Sequence, residues 1–219
     1  MKEANRQRKT EIKYKIQLND EQKEAKRLIR EHQVVVITGR AGCGKSLVSA
    51  QCCLDFLFKE EAEKIFVTRA TIEVGSSLGY LPGGLEDKFN PYLEAFMENL
   101  VKCYDKVKIE DLITKKQIVA FPVQFSRGKT IDDVLVVEEA QNLSKDEMLA
   151  LLTRVGKTGK LIINGDNEQM DINTHGAVNG LSYAIEVSKK LPNEVKWIKL
   201  KENHRSDLVG KILELEYGK

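Results

Sequence analysis

Three glycines, a lysine and a hydroxyl stand at fixed spacing in Gly39-Arg40-Ala41-Gly42-Cys43-Gly44-Lys45-Ser46, which fits the pattern G-x-x-x-x-G-K-[ST]. Glycines let the backbone curl until successive N–H groups converge on one phosphate. Lys45 can then reach the outer phosphates, and the Ser46 hydroxyl can ligate Mg²⁺. All eight residues from Gly39 to Ser46 are therefore candidates for holding a nucleoside triphosphate. Such a loop needs carboxylates from a second strand, one for the metal shell and one to orient an attacking water. Glu138 and Glu139 close the apolar run Val134-Leu135-Val136-Val137 and supply both. Alternation along a strand turns neighbouring side chains apart, so Glu138 is expected to face Mg²⁺ and Glu139 the water. A structural ion pair is the alternative for these two. Further on, Gln169 follows the run Leu161-Ile162-Ile163-Asn164-Gly165-Asp166. A neutral amide there can hydrogen-bond the γ-phosphate or the water, a contact that changes when the bond breaks. A helix cap made by Asp166 is the alternative.

These residues need a scaffold that brings strand ends together. Apolar runs rich in β-branched residues recur at Gln33 to Thr38, Lys64 to Thr68, Gln117 to Phe121, Val134 to Val137, Lys160 to Asn164 and Lys196 to Leu200. Each reads as a strand. Helical spacing is expected over Ser46 to Lys59, Lys88 to Tyr104, Lys145 to Arg154 and Gly180 to Leu191, long enough for crossovers between parallel strands. The fold class is therefore α/β, a mainly parallel sheet with helices on both faces. The cluster Gly75-Ser76-Ser77-Leu78-Gly79-Tyr80-Leu81-Pro82-Gly83-Gly84 breaks both periodicities. It is expected to form a long surface loop on the side of the phosphate site.

Composition narrows the class. The chain has 219 residues, 42% of them hydrophobic, enough for a buried core. A formal charge of +2 does not by itself argue for nucleic acid, although Lys2, Arg6, Arg8, Lys9, Lys13 and Lys15 make the opening stretch basic. The organisation expected is a basic N-terminal extension over 1–18, then a single domain over 19–219. Cys43, Cys52, Cys53 and Cys103 show no C-x-x-C spacing and no disulfide density, which favours a reduced, cytoplasmic setting. No apolar run approaches the roughly twenty residues that span a bilayer, so no membrane partner is expected. The three histidines are scattered, which leaves the nucleotide's own Mg²⁺ as the metal to expect.

At this extent the chain resembles the PhoH-like ATPases, a family related to the core of superfamily-one helicases. The resemblance begins at Asn19-Asp20-Glu21-Gln22, where Gln22 is similar to the adenine-reading glutamine of those helicases. It continues through the phosphate loop, Thr68-Arg69-Ala70, Val74-Gly75, Leu78 to Lys88 and Pro91-Tyr92-Leu93. Arg127-Gly128-Lys129-Thr130, Glu138-Glu139-Ala140-Gln141-Asn142, Leu152 to Gly156, Gly165-Asp166 with Gln169, and Arg205 in Glu202-Asn203-His204-Arg205 complete it. The chain departs from the family pattern at Glu138 (Asp), Cys43 (Thr), Ser46 (Thr) and Arg69-Ala70 (Arg-Pro). Ser46 is chemically equivalent to Thr, whereas Glu138 is one methylene longer than Asp and can hold the ion through a water.

The resemblance implies a RecA-like P-loop NTPase fold, a three-layer αβα sandwich that takes ATP and Mg²⁺. It implies Lys45, Glu138, Glu139, Gln169 and Arg205 as catalytic, Ser46 and Glu138 on the metal, and Gln22 with the loop on the nucleotide. Superfamily-one helicases close their ATP site between two lobes, and this sequence has room for one. The arginine for the transferring phosphoryl group would then come from a neighbouring subunit, which implies a homo-oligomer, a hexameric ring in this family. Arg205 is the first candidate for that arginine, ahead of Arg69, Arg127 and Arg154. The expected function is ATP hydrolysis by a helicase-like motor on single-stranded nucleic acid, RNA ahead of DNA, with no appended nuclease or RNA-binding domain. Tyr80 or Phe89 could supply base stacking. The alternatives are a regulatory ATP-binding module with little turnover and a small-molecule kinase.

Overall fold

The computed structural model describes residues 12–69, 85–126, 128–166 and 178–202, with the backbone alone along 85–93 and at 124–125. Six strands lie within them: β1 (Val34–Thr38), β2 (Ile65–Arg69), β3 (Ile118–Ala120), β4 (Val134–Glu138), β5 (Lys160–Gly165) and β6 (Val195–Lys199). They form one sheet in the order β3-β2-β4-β5-β1-β6, and every adjacent pair is parallel. Each expected strand is present, its ends shifted by no more than one residue.

Six helices connect or flank them: α1 (Asp20–Glu31), α2 (Lys45–Phe58), α3 (Leu85–Cys103), α4 (Lys106–Thr114), α5 (Lys145–Leu152) and α6 (Gly180–Lys190). Val35, Ile37, Val134, Val136, Ile162, Ile65 and Val67 face one helical layer, packing with Ala25, Ile29, Leu54, Phe96, Leu100 and Ile109 of α1 to α4. Val34, Val36, Leu135, Val137, Leu161 and Ile163 face the other, against Met148, Leu151, Leu181 and Ala184 of α5 and α6. With both faces covered, the central strands read as continuous apolar runs rather than alternating ones. The three-layer αβα arrangement follows.

Helices α1 and α4 were not expected from periodicity. In α1 only Gln22, Ala25 and Ile29 are buried, so charged residues dominate its sequence. Its signal is the capping box instead: Asn19 Oδ1 accepts from Gln22 N (2.8 Å) and Gln22 Oε1 accepts from Asn19 N (3.1 Å). In α4 the corresponding signal is Asp105, which caps the N–H of Lys108.

Within the expected basic extension, residues 12–18 are packed against the body and 1–11 lie outside the described residues. Tyr14 donates to Asp55 Oδ1 (2.7 Å), and Asp55 Oδ2 lies 2.8 Å from Lys26 Nζ. Gln51 Nε2 donates to Ile16 O (2.9 Å), Lys15 Nζ donates to Tyr104 O (2.5 Å), and Leu18 joins the core. These bonds fix the segment along α2 and the end of α3.

Lys160 closes the far end of α1. Its ammonium donates to Ile29 O (3.1 Å), Arg30 O (2.7 Å) and His32 O (2.9 Å), so one cation satisfies carbonyls at the helix C-terminus. Burial pushes its pKa down, the cost of seating the charge there. Lys160→Met keeps the stem and removes three charge-assisted bonds. It is expected to destabilise the protein by about 2 kcal/mol, read as a lower urea midpoint at unchanged slope.

Candidate functional site

Strand β5 lies between β1 and β4, so the carboxyl ends of all three strands converge. The loop after Thr38 bends through Gly39 and Gly44 into α2. Gly44 has φ +90°, and a Cβ there would collide with Gln22 Nε2, so conformation and space both require glycine. A Cβ on Gly39 would collide with the Leu200 carbonyl oxygen. No side chain caps α2, and its first-turn N–H groups remain available to an anion. Lys45 Nζ folds back over the loop and donates to Gly39 O (2.5 Å) and Arg40 O (3.3 Å).

Ser46 is anchored across the sheet. Its hydroxyl donates to Glu138 Oε2 (2.8 Å) at the end of β4, and Asn164 Nδ2 at the end of β5 donates to Glu138 Oε1 (2.9 Å). Asn164 is fully buried and also donates to Ser49 Oγ (2.8 Å) on α2. Burial pushes the Glu138 carboxyl up to about 7, and the charge of Glu139 adds to the rise. The bonds from Asn164 and Ser46 and the charge of Lys45 oppose it.

Glu139 leaves the strand with φ +53°, a left-handed conformation uncommon for a side chain of its size. Its carboxylate accepts from Gln141 Nε2 (2.7 Å), and its other oxygen lies 3.7 Å from the Arg69 guanidinium at the end of β2. Gln141 is buried and passes the contact on, its Oε1 accepting from Asp166 N (3.0 Å). Strand alternation therefore does not aim Glu139; a turn held by an amide and a cation does.

Lys45, Ser46, Glu138 and Glu139 line one cavity of about 610 Å³, a size suited to a nucleotide. The same cavity is lined by Ile16, Gln17, Leu47, Asn99 and Lys102. The Ser46 hydroxyl and Glu138 carboxylate are hard oxygen donors 2.8 Å apart, close to the roughly 3 Å edge of an Mg²⁺ octahedron. Among the described residues no cluster of three or more His, Cys, Asp or Glu could hold a metal ion. Two protein oxygens fit an ion that takes its other ligands from phosphate and water.

Of the residues singled out in the sequence, the structure brings Ala41, Gly42, Gly44, Lys45, Ser46, Glu138, Glu139 and Gln22 to this cavity. Gln22 is buried, with its amide engaged on both sides: Nε2 donates to Cys43 O (3.0 Å) and Oε1 accepts from Asn19 N. In this arrangement it braces the loop. Gln169, Arg205, Arg127, Tyr80 and the 75–84 cluster lie outside the described residues, as does the side chain of Phe89. Asn164, Gln141, Asn99 and Lys102 were not singled out as site residues. Asn164 could have been found as the polar residue that follows a purely apolar strand. Asn99 and Lys102 carry no local signal, since only the packing of α3 on α2 brings them here. All four cysteines are buried and unpaired, and no helix among the described residues is long and apolar enough to cross a membrane.

Comparison with known proteins places this geometry. A family model described as PhoH-like protein matches residues 15–216. The PhoH-like protein of Bacillus subtilis (strain 168) is 34% identical over 196 residues, covering 88% of this chain and 61% of that protein. Protein PhoH of Escherichia coli (strain K12) is 34% identical over 173 residues, covering 77% of this chain and 48% of that protein. The chain thus spans about half the length of the curated relatives it matches. Among solved structures, the large terminase of a thermophilic bacteriophage in complex with ADP is similar to 93% of this chain and 51% of its own, with a TM-score of 0.54 at 11% identity. That likeness concerns the fold alone, a RecA-like P-loop ATPase arrangement. The family match covers nearly the whole sequence, phosphate loop and glutamate pair included, and on that ground the chain belongs to the PhoH-like protein family.

Proposed function

We propose that this protein binds and hydrolyses ATP and couples the reaction to work on single-stranded nucleic acid, RNA in preference to DNA. The observation that carries the hydrolytic reading is the contact of Ser46 with Glu138 beneath Lys45, with Glu139 on the same cavity wall. Bound Mg²⁺ would draw charge from the β- and γ-phosphoryl oxygens. Ser46 and Glu138 would hold that ion, and the loop N–H groups with Lys45 would hold the phosphates. Glu139 would take a proton from water as the water oxygen bonds to the γ-phosphorus and the bond to the ADP oxygen breaks. Gln141 and Arg69 position Glu139 for that transfer. Gln169 is proposed as the γ-phosphate sensor and Arg205, from the next subunit of a hexameric ring, as the completing arginine. Nucleic acid enters the proposal through the resemblance to superfamily-one helicases.

The nucleoside would occupy the rest of the cavity. Ile16 and Leu47 offer apolar contact there, and Gln17, Asn99 and Lys102 offer polar contact. Together with Gln22, which lines the same cavity, these residues are proposed to contact the base and ribose. Asn99→Ala with Lys102→Ala is expected to weaken binding of a fluorescent ATP analogue by about tenfold, without loss of the phosphate-end contacts.

Glu139→Gln removes the proton acceptor and keeps the shape. Phosphate release is expected to fall by about a hundredfold or more while ATP affinity is retained. Release should rise with added RNA in the unsubstituted protein. ATP binding with no release under any condition would favour a regulatory module, and release that requires a small acceptor would favour a kinase.

Glu138 also predicts a pH dependence in the ligand-free protein. Its carboxyl is raised from 4.5 to about 7, so the fold favours the protonated form. The resulting stabilisation is complete below pH 4.5 and is lost as pH rises through about 7. Relative to Glu138→Gln, which does not titrate, the unsubstituted protein is expected to lose about 2–3 kcal/mol between about pH 5 and pH 8. Thermal melts of both proteins at each pH would read it.

A further inference from the structure

Trp197 is the single tryptophan of the chain and is 42% exposed, on β6, the end strand of the sheet among the described residues. Val195 on the same strand is buried in the core under α6, and alternation puts Trp197 and Lys199 on that same face, beyond the helix. The Lys189 ammonium from α6 lies 5.6 Å from the centre of the indole. Lys199, at the end of the same strand, and Lys201, just past it, are exposed. Among the described residues no carboxylate makes an ion pair with the Lys189, Lys199 or Lys201 ammonium, although the Lys201 backbone N–H donates to Glu21 Oε2 (2.7 Å); nearby Lys190 is paired with Glu186. Lysines alone on an edge strand serve to keep it from pairing with another sheet. An indole among them adds something they do not need for that purpose: a flat face on which any base can stack, beside cations that a phosphate backbone would neutralise.

The indole is also wired to the nucleotide site. Its Nε1 donates to Thr38 Oγ1 (2.9 Å), and Thr38 O accepts from Leu200 N (2.8 Å). Thr38 is the last residue of β1 and directly precedes Gly39, whose carbonyl accepts from Lys45 and whose Cα approaches the Leu200 carbonyl too closely for a side chain. A shift of the indole would therefore be felt at the start of the phosphate loop.

We propose that Trp197 with Lys189, Lys199 and Lys201 forms a contact surface for single-stranded nucleic acid, and that its occupancy is relayed to the phosphate loop through Thr38. The proposal rests on the nucleic-acid reading above and gives it a location. Because Trp197 is the sole tryptophan, all tryptophan emission originates at this surface. Oligouridylate and oligothymidylate of about 16 nucleotides are the probes, followed both by Trp197 emission and by anisotropy of the same strands carrying a 5′ dye. Emission is expected to change in parallel with anisotropy. Lys189→Glu with Lys199→Glu is expected to weaken strand binding by about tenfold or more. Trp197→Phe keeps an aromatic ring but loses the donor to Thr38, so strand binding should persist while stimulation of phosphate release by the strand is lost. Surviving stimulation would refute the relay. Strand binding with unchanged Trp197 emission and an unaffected double variant would refute the surface and leave the nucleic-acid reading intact. Failure of both strands to bind would remove the surface and the nucleic-acid reading alike. A lower assembly mass in the double variant, with strand binding unaffected, would assign the surface to contacts between copies and overturn the proposal.

Discussion

The site is organised around one half-buried carboxylate. Glu138 ends β4 on the cavity wall, where loss of solvent makes an ionised group costly, and it is partly compensated by the Ser46 hydroxyl and the Asn164 amide. Those two donors come from α2 and from β5, so the compensation ties together the helix after the phosphate loop and two strands of the sheet. It is incomplete, which is why the carboxyl remains pushed up to about 7. A divalent cation would supply the missing positive charge. In the proposed reading, metal binding and relief of a strained electrostatic balance are the same event, and the extra methylene of Glu relative to Asp is absorbed by the reach to Ser46.

Glu139 is controlled differently. Its left-handed backbone is sustained by contacts on both sides: the buried Gln141 amide and the Arg69 guanidinium hold its carboxylate, and Gln141 in turn binds the backbone at Asp166. The geometry of the proposed proton acceptor thus depends on the last residue of β2 and on the backbone just after β5. Neighbouring glutamates have separate supports: Glu138 answers to α2 and β5, Glu139 to β2 and the turn after β4.

Much of this was legible in the sequence, for identifiable reasons. Strands covered on both faces leave uninterrupted runs such as Val34-Val35-Val36-Ile37, and a phosphate loop constrains its glycines and lysine locally, so both are readable along the chain. Helix α1 was not, because its few buried residues are outnumbered by charges and its start is written in a capping box. Asn99, Lys102 and Gln17 became site residues only through packing of α3 and of residues 12–18 against α2, which local spacing does not encode. Gln22 is expected from the resemblance alone to read adenine; it lines the cavity, with its amide also bonded to Cys43 O and Asn19 N. Strand alternation separated Glu138 from Glu139 in direction but could not foresee that the second would sit in a turn.

The order of strands also explains how two faces of the sheet communicate. The nucleotide cavity opens toward α2 and α3, while Trp197 lies on the face covered by α6, and a packed sheet separates them. Thr38 bridges that separation because it is the last residue of β1, the one strand hydrogen-bonded to both β5 and β6. Its side chain points toward Trp197 and its backbone continues into Gly39. A side chain earlier in β1 would be locked by ladder bonds and neighbours on all sides; a residue later in the chain would already be loop. Only at this position does one residue belong both to the rigid sheet that seats the indole and to the curl that seats the phosphates, so any coupling between those surfaces has a short path through it.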